Sequence, residues 1–252
     1  MCLVVFAWKV HPDYPLILAA NRDEYHARPA QEAHWWPDRP DILAGRDLQA
    51  GGTWLALSRS GRFATVTNYR EAQKQRPGLR SRGEIATQYS GSNSSAYDFV
   101  AALDGDRYAG VSVLVADGDS ICYRSNRNDT AVSLSPGIYG LSNASLDTPW
   151  SKLLRTKDAL AERIADGNIN PTELLRLLAD RSPAPHEEID AGAMPYKMAR
   201  AVTAPFIVTD DYGTRCSTTV LVGAEGRIQF CERRYGPDGN KSGESTFDFH
   251  RT

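Results

Sequence analysis

Met1-Cys2-Leu3-Val4-Val5-Phe6-Ala7-Trp8, then His11-Pro12-Asp13-Tyr14-Pro15, then Leu16-Ile17-Leu18-Ala19-Ala20-Asn21-Arg22-Asp23-Glu24: this opening stretch decides how the chain is read. Residues 3–8 form an apolar, β-branched and aromatic run, the pattern of a buried strand. The two prolines of residues 11–15 resist helix and mark a turn. Residues 16–20 are the returning strand. In an antiparallel hairpin of this length the end of the second strand comes back beside the start of the first. Arg22 and Asp23 are therefore expected next to Cys2.

That neighbourhood has chemical consequences. If Met1 is removed, Cys2 becomes amino-terminal and carries a thiol beside an α-amine whose ordinary pKa is about 8. The amine can take the thiol's proton, so one residue supplies nucleophile and base. Arg22 would favour the thiolate by direct charge, and Asp23 would accept hydrogen bonds from the α-ammonium. Glu24 is expected to pair with Arg22 or Arg28, and Asn21 to tie the loop or line a ligand site. The alternative for Cys2 is a small, inert residue at the start of a buried strand, and a retained Met1 would block the α-amine.

Further along, Gly51-Gly52-Thr53-Trp54-Leu55 opens a second hairpin that returns through residues 63–67 and ends at Thr67-Asn68-Tyr69. The glycines allow a close backbone approach, to a ligand or to a neighbouring strand. Residues 25–40, dense in proline, are expected to be irregular loop, with Trp35 and Trp36 anchoring it or forming a pocket wall. Residues 70–82 hold Arg70, Lys74, Arg76, Arg80 and Arg82 against Glu71 alone. They read as a solvated loop or as an anion clamp, with Arg82 acting beside the amides of a helix starting at Gly83. Helices are also predicted over residues 94–103, from Thr148-Pro149-Trp150 to about residue 165, and from Asn170-Pro171 to about residue 179. Residues 182–204 read as loop. Strands are predicted near residues 111–116, 120–124, 132–134, 206–209, 215–222, 227–233 and 245–249. Hairpins, then helices, then hairpins again argue for an α+β fold of antiparallel sheets with helices packed outside.

These residues resemble the NRDE family, the transport and Golgi organisation protein 2 family. The resemblance is carried by Met1-Cys2, by Leu18-Ala19-Ala20-Asn21-Arg22-Asp23-Glu24 and by Gly51-Gly52-Thr53-Trp54-Leu55. It continues through Thr67-Asn68-Tyr69, Ser81-Arg82-Gly83-Glu84, Tyr139-Gly140-Leu141-Ser142-Asn143, Thr148-Pro149-Trp150 and Tyr212-Gly213-Thr214-Arg215, spread in order over nearly the whole chain. It implies an N-terminal-nucleophile (Ntn) hydrolase-like αββα sandwich, similar to penicillin V acylases and bile salt hydrolases. In such a site Asn143 resembles the oxyanion asparagine, Arg215 the late arginine that closes the pocket, and Asn68 is a second donor. Two activities are implied: cleavage of a nonpeptide C–N amide bond, or non-catalytic binding of haem or acyl-CoA in haem trafficking or lipid metabolism. As a hydrolase it would require no cofactor; as a carrier it would take haem or a coenzyme A thioester. For haem, the axial candidates are Cys2, His26 and His34, with no Cys-x-x-Cys-His attachment motif in the sequence.

Composition bounds the rest. The chain has 252 residues, 41% of them hydrophobic and evenly spread, which suits a single domain over residues 1–252. A net charge of −2 gives no pull toward nucleic acid, and the expected partner is a small molecule with anionic groups. No apolar run reaches the roughly 20 residues of a membrane span, and no signal-peptide pattern opens the chain. Four cysteines without metal spacing or disulfide density suit a reducing, cytoplasmic compartment.

Overall fold

The opening residues build the predicted hairpin, β1 (Cys2–Trp8) with β2 (Leu16–Tyr25), in the register Cys2↔Arg22 through Trp8↔Leu16. The structure is a computed structural model that describes residues 2–71, 78–128 and 130–252. After the hairpin come β3 (Ala30–Trp36), β4 (Arg39–Asp47), β5 (Leu55–Ser58) and β6 (Phe63–Asn68), then α1 (Gly83–Ser90) and α2 (Ala96–Ala101). Strands β7 (Val111–Ala116), β8 (Ile121–Ser125), β9 (Val132–Ser133) and β10 (Gly137–Leu141) follow. Helices α3 (Ser151–Ala165), α4 (Pro171–Leu177) and α5 (Tyr196–Ala201) precede β11 (Tyr212–Val222), β12 (Arg227–Tyr235) and β13 (Lys241–His250).

Two antiparallel sheets result. The first has the order β10-β1-β2-β11-β12-β13 and the second β3-β4-β5-β6-β7-β8-β9. Because side chains alternate along a strand, even-numbered residues of β1, β2, β11 and β12 (Val4, Phe6, Leu18, Val220, Phe230) meet Leu43, Leu57, Phe63 and Leu114 of the second sheet in the central core. Odd-numbered Leu3, Val5, Ile17 and Ala19 pack outward against Leu153 and Leu160 of α3 and Leu174 of α4. On the far side α1 and α2 bury Ile85, Tyr89 and Val100 against Ala56, Val66 and Val113. The layers are therefore helix, sheet, sheet, helix, as expected.

Several local expectations need correction. Residues 25–40 are largely strand. Pro40 is accommodated because the β3–β4 register shifts between Trp35 and Trp36, so the proline occupies an irregularity that demands no ladder bond from it. Trp36 is buried with its indole N–H donating to the Ala44 carbonyl at 3.0 Å. Residues 206–209 make only an isolated bridge, Val208↔Gly213, and the short helix α5 interrupts what composition presents as loop. At Gly52 the close backbone approach is to the start of a helix and not to a neighbouring strand. A Cβ on Gly52 would lie 2.5 Å from the Gly83 carbonyl carbon and 2.9 Å from the Glu84 amide nitrogen, so the glycine admits the start of α1.

Replacing Gly52 with alanine should therefore force backbone apart and cost about 1–3 kcal/mol in urea denaturation. Gly91→Ala, where the new methyl would meet the Thr87 carbonyl at an ordinary 3.5 Å, is the control expected to change stability little.

Candidate active site

The alternation that builds the core also sorts the Asn21-Arg22-Asp23-Glu24 run. Cys2 pairs with Arg22, and Arg22 pairs on its other side with Cys216, so all three side chains lie on the inward face of adjacent strands. They sit where the sandwich opens, and Cys2 and Arg22 line a cavity of about 400 Å³ with Glu24, Trp54, Asn68 and Arg82. Of the four cysteines, all free, Cys2 alone keeps part of its surface exposed. Burial pushes the Cys2 thiol up, while the Arg22 guanidinium and the Asp23 backbone amide act in the opposite direction.

Arg22 is 6% exposed and its guanidinium lies 4.2 Å from the centre of the Trp54 ring. Among the described residues no hydrogen bond or ion pair holds that guanidinium. Trp54 is in turn seated on Gly45, where any Cβ would strike the indole at 2.3 Å. Arg82 is largely buried, which lowers its pKa, and among the described residues its guanidinium donates only to the Gly110 carbonyl, at 3.1 Å. The other two arginines of the cavity are compensated: Arg28 by Asp47 at 2.8 Å and Glu24 at 3.8 Å, and Arg80 by Glu84. Among the described residues the cavity thus presents a thiol beside two guanidinium groups with no carboxylate at ion-pair distance, a setting suited to anions.

The Asn21 and Asp23 side chains point the other way, although Asp23 still contributes to the cavity lining. Asn21 is 1% exposed and fully engaged: Nδ2 donates to the Leu178 and Pro205 carbonyls at 2.9 Å each, and Oδ1 accepts from Ser217 Oγ at 2.6 Å. It ties the sheet to the segments above it and does not line the cavity. Asp23 Oδ1 accepts from Thr214 Oγ1 at 2.7 Å, and its backbone carbonyl from Tyr212 at 2.9 Å. Burial raises the Asp23 carboxyl to about 6, opposed by Lys152, Thr214 and Arg22.

The amide of Asn143 meets the amino side of Cys2. Cys2 N donates to Asn143 Oδ1 at 3.0 Å, and Asn143 Nδ2 donates to the Asn68 carbonyl at 2.8 Å. Ser142 Oγ adds a bond to the Cys2 carbonyl at 2.6 Å. The start of β1 is therefore held by the segment after β10. Arg215 sits at the bulge of β11 and donates to the Tyr25 and Arg28 carbonyls at 2.8 and 3.1 Å, pinning the chain after β2 without lining the cavity. The expected clamp over residues 70–82 is divided: Arg82 faces this cavity, Arg70 lines a second one, and Lys74 and Arg76 lie outside the described residues. His26 and His34 line neither cavity, their rings being taken up by the Thr209 and Glu32 carbonyls.

Two residues escaped sequence reasoning. Trp54 was visible only as part of a motif, because its partner Arg22 lies in the other sheet. Lys152 had a sequence signal: it falls on the stripe Lys152, Thr156, Leu160 of α3, four residues apart on the face that is buried. It is 2% exposed, and burial lowers its pKa against the pull of Asp23 and Cys2.

The fold has the Ntn-hydrolase-like architecture, and a cysteine opens its first strand. The Caenorhabditis elegans N-acylethanolamine-hydrolyzing acid amidase ortholog aligns with a TM-score of 0.50 at 8% identity, over 87% of this chain and 92% of its own. A mutant of the conjugated bile acid hydrolase from Clostridium perfringens aligns with a TM-score of 0.52 at 9% identity, over 100% of this chain and 98% of its own. The chain belongs to the transport and Golgi organisation 2 family, whose model matches residues 1–237. The Bos taurus transport and Golgi organization protein 2 homolog is 37% identical over 273 aligned positions, covering 99% of each chain. Among the described residues no helix is long and apolar enough to cross a membrane.

The raised Asp23 carboxyl sets a pH dependence. Its ordinary value is 3.8, and at about 6 in the folded protein it holds its proton more tightly than when unfolded. The stability it contributes is complete below the unfolded value and is lost as pH rises toward 6. The stability of Asp23→Asn relative to the unsubstituted protein should therefore climb between pH 4 and pH 6.5 in urea denaturation; a difference that stays flat would contradict the assignment.

Proposed function

We propose that the chain is a cysteine-dependent amidohydrolase acting on a nonpeptide C–N bond of an anionic small molecule. The observation that carries this reading is the Cys2↔Arg22 register beside the cavity shared with Arg82. The reading requires removal of Met1. The freed α-amine then takes the thiol proton, and the thiolate adds to the amide carbonyl. Collapse of the tetrahedral oxyanion breaks the C–N bond, the leaving amine receives that proton, and water hydrolyses the acyl-thioester to regenerate the thiol. Asn143, bonded to the Cys2 nitrogen, orients the amine, and Arg22 favours the thiolate. Four free thiols agree with a reducing, cytoplasmic setting.

A second reading has its own support. Burial raises the Cys2 thiol, and Arg22 and Arg82, with no carboxylate at ion-pair distance among the described residues, suit the carboxylates of haem or the phosphates of acyl-CoA. On this reading the same cavity binds or carries such a ligand without turnover.

Intact mass after a brief pulse of iodoacetamide tests the first reading. Natively expressed protein should lack Met1 and label at Cys2 far faster than at Cys122, Cys216 or Cys231. Cys2→Ala should abolish that label, and Arg22→Met should slow it on the order of tenfold at pH 7.5. Retention of Met1, or an inert Cys2, would remove the hydrolase reading. In that event titration with haem and with palmitoyl-CoA should give saturable binding that weakens in Arg82→Ala; unchanged affinity would take Arg82 out of the carrier reading.

A further inference from the structure

A larger cavity, about 1100 Å³, lies on the helix side of the first sheet, separated from the thiol cavity by the Asn68–Asn143 contact. Its body is apolar, with Trp150, Leu154, Ala184, Met194 and Val202 among its walls. One of its walls carries the buried Lys152. The Lys152 ammonium donates to the Val202 carbonyl at 3.1 Å, and among the described residues no carboxylate stands at ion-pair distance from it. Asp23 attracts this ammonium from beyond ion-pair distance, but an ammonium has three donors to satisfy, and a buried one with a single acceptor is costly. The cavity is large enough for a drug-sized ligand, and a ligand anion would supply a charge in direct contact together with the missing acceptors.

The surrounding charges narrow the choice of anion. Three carboxylates, Glu71, Glu188 and Asp190, stand on the lining with Arg70, whose guanidinium donates to the Asp190 backbone carbonyl at 3.3 Å. Glu71 is already paired with Arg127, and Glu188 accepts from Ser151. Such a lining repels polyanions, and Lys152 is a single point charge suited to a single carboxylate. We infer that this second cavity is a binding site for an amphiphilic monocarboxylate, its carboxylate on Lys152 and its apolar body against Trp150, Met194 and Val202. Polyanionic ligands belong to the arginine-lined cavity on the other side of Asn143. The inference does not rest on thiol chemistry, so an unreactive Cys2 leaves it standing.

Isothermal titration of the full-length protein with decanoate, decanol and decyl phosphate tests it. Decanoate should bind saturably and more tightly than either of the other two. Lys152→Met, which keeps the apolar stem, should weaken decanoate at least tenfold and leave decanol unchanged. Ala191→Trp, placed on the half-buried loop at the cavity wall, should abolish binding of both decanoate and decanol, and it decides the matter even if Lys152→Met does not fold. No saturable decanoate binding, equal affinity in Lys152→Met, or undiminished affinity in Ala191→Trp would each overturn the inference, as would tighter binding of decyl phosphate.

Discussion

The pairing of β1 with β2 is the constraint on which the rest of this structure depends. It brings Cys2 opposite Arg22 and, through β11, brings Cys216 to the other side of that arginine. A slip of one residue would turn every side chain of the strand to the wrong face. Here the slip is opposed from both sides: Val4, Phe6 and Leu18 fill the core between the sheets, while Leu3, Val5 and Ile17 fill the layer beneath α3 and α4. Two apolar cores hold one register, and that register sets the position of the thiol.

The same alternation divides a four-residue motif into two functions. Arg22 and Glu24 look into the cavity; Asn21 and Asp23 look toward the helices. Asn21 acts as a tie, since all three of its amide bonds end on protein groups far along the chain. Asp23 and Lys152 place opposite charges in the same buried layer, each influencing the other's proton affinity. Charge is thus present on both faces of β2, and the thiol cavity opens onto one of them. Asn143 stands between the two cavities, with Oδ1 on Cys2 and Nδ2 on the Asn68 carbonyl.

Cysteine reactivity in this chain follows from enclosure as much as from neighbours. Cys216 shares its strand row with Arg22, yet burial and the nearby Glu232 carboxylate hold its thiol well above the ordinary range. Cys231 is raised by burial to about 11. Cys2 is also raised, but it alone reaches a cavity, and it alone has both Arg22 and a backbone amide favouring its anion. The difference between an inert thiol and a candidate nucleophile here is access to solvent space, with the arginine common to both.

What the sequence determined by itself was local and periodic. The apolar runs around Pro12 and Pro15 specified a hairpin, and hairpin geometry alone placed Arg22 beside Cys2. Ser94 or Ser95 and the Asn170-Pro171 pair marked two helix starts, and in the structure Ser95 and Asn170 each accept from a backbone amide three residues on. The antiparallel, helix-flanked fold was legible from the order of such elements. Proline density misread β3 and β4, because a bulge that frees a proline from the ladder has no signature in the chain. What only the tertiary structure decided was everything made by contact between distant segments. Trp54 reaches Arg22 from the opposite sheet, Arg70 and Arg82 fall on different sides of Asn143, and Lys152 is carried beneath the sheet by α3. A strand's period fixes which face a residue takes; what waits on that face depends on how the layers stack.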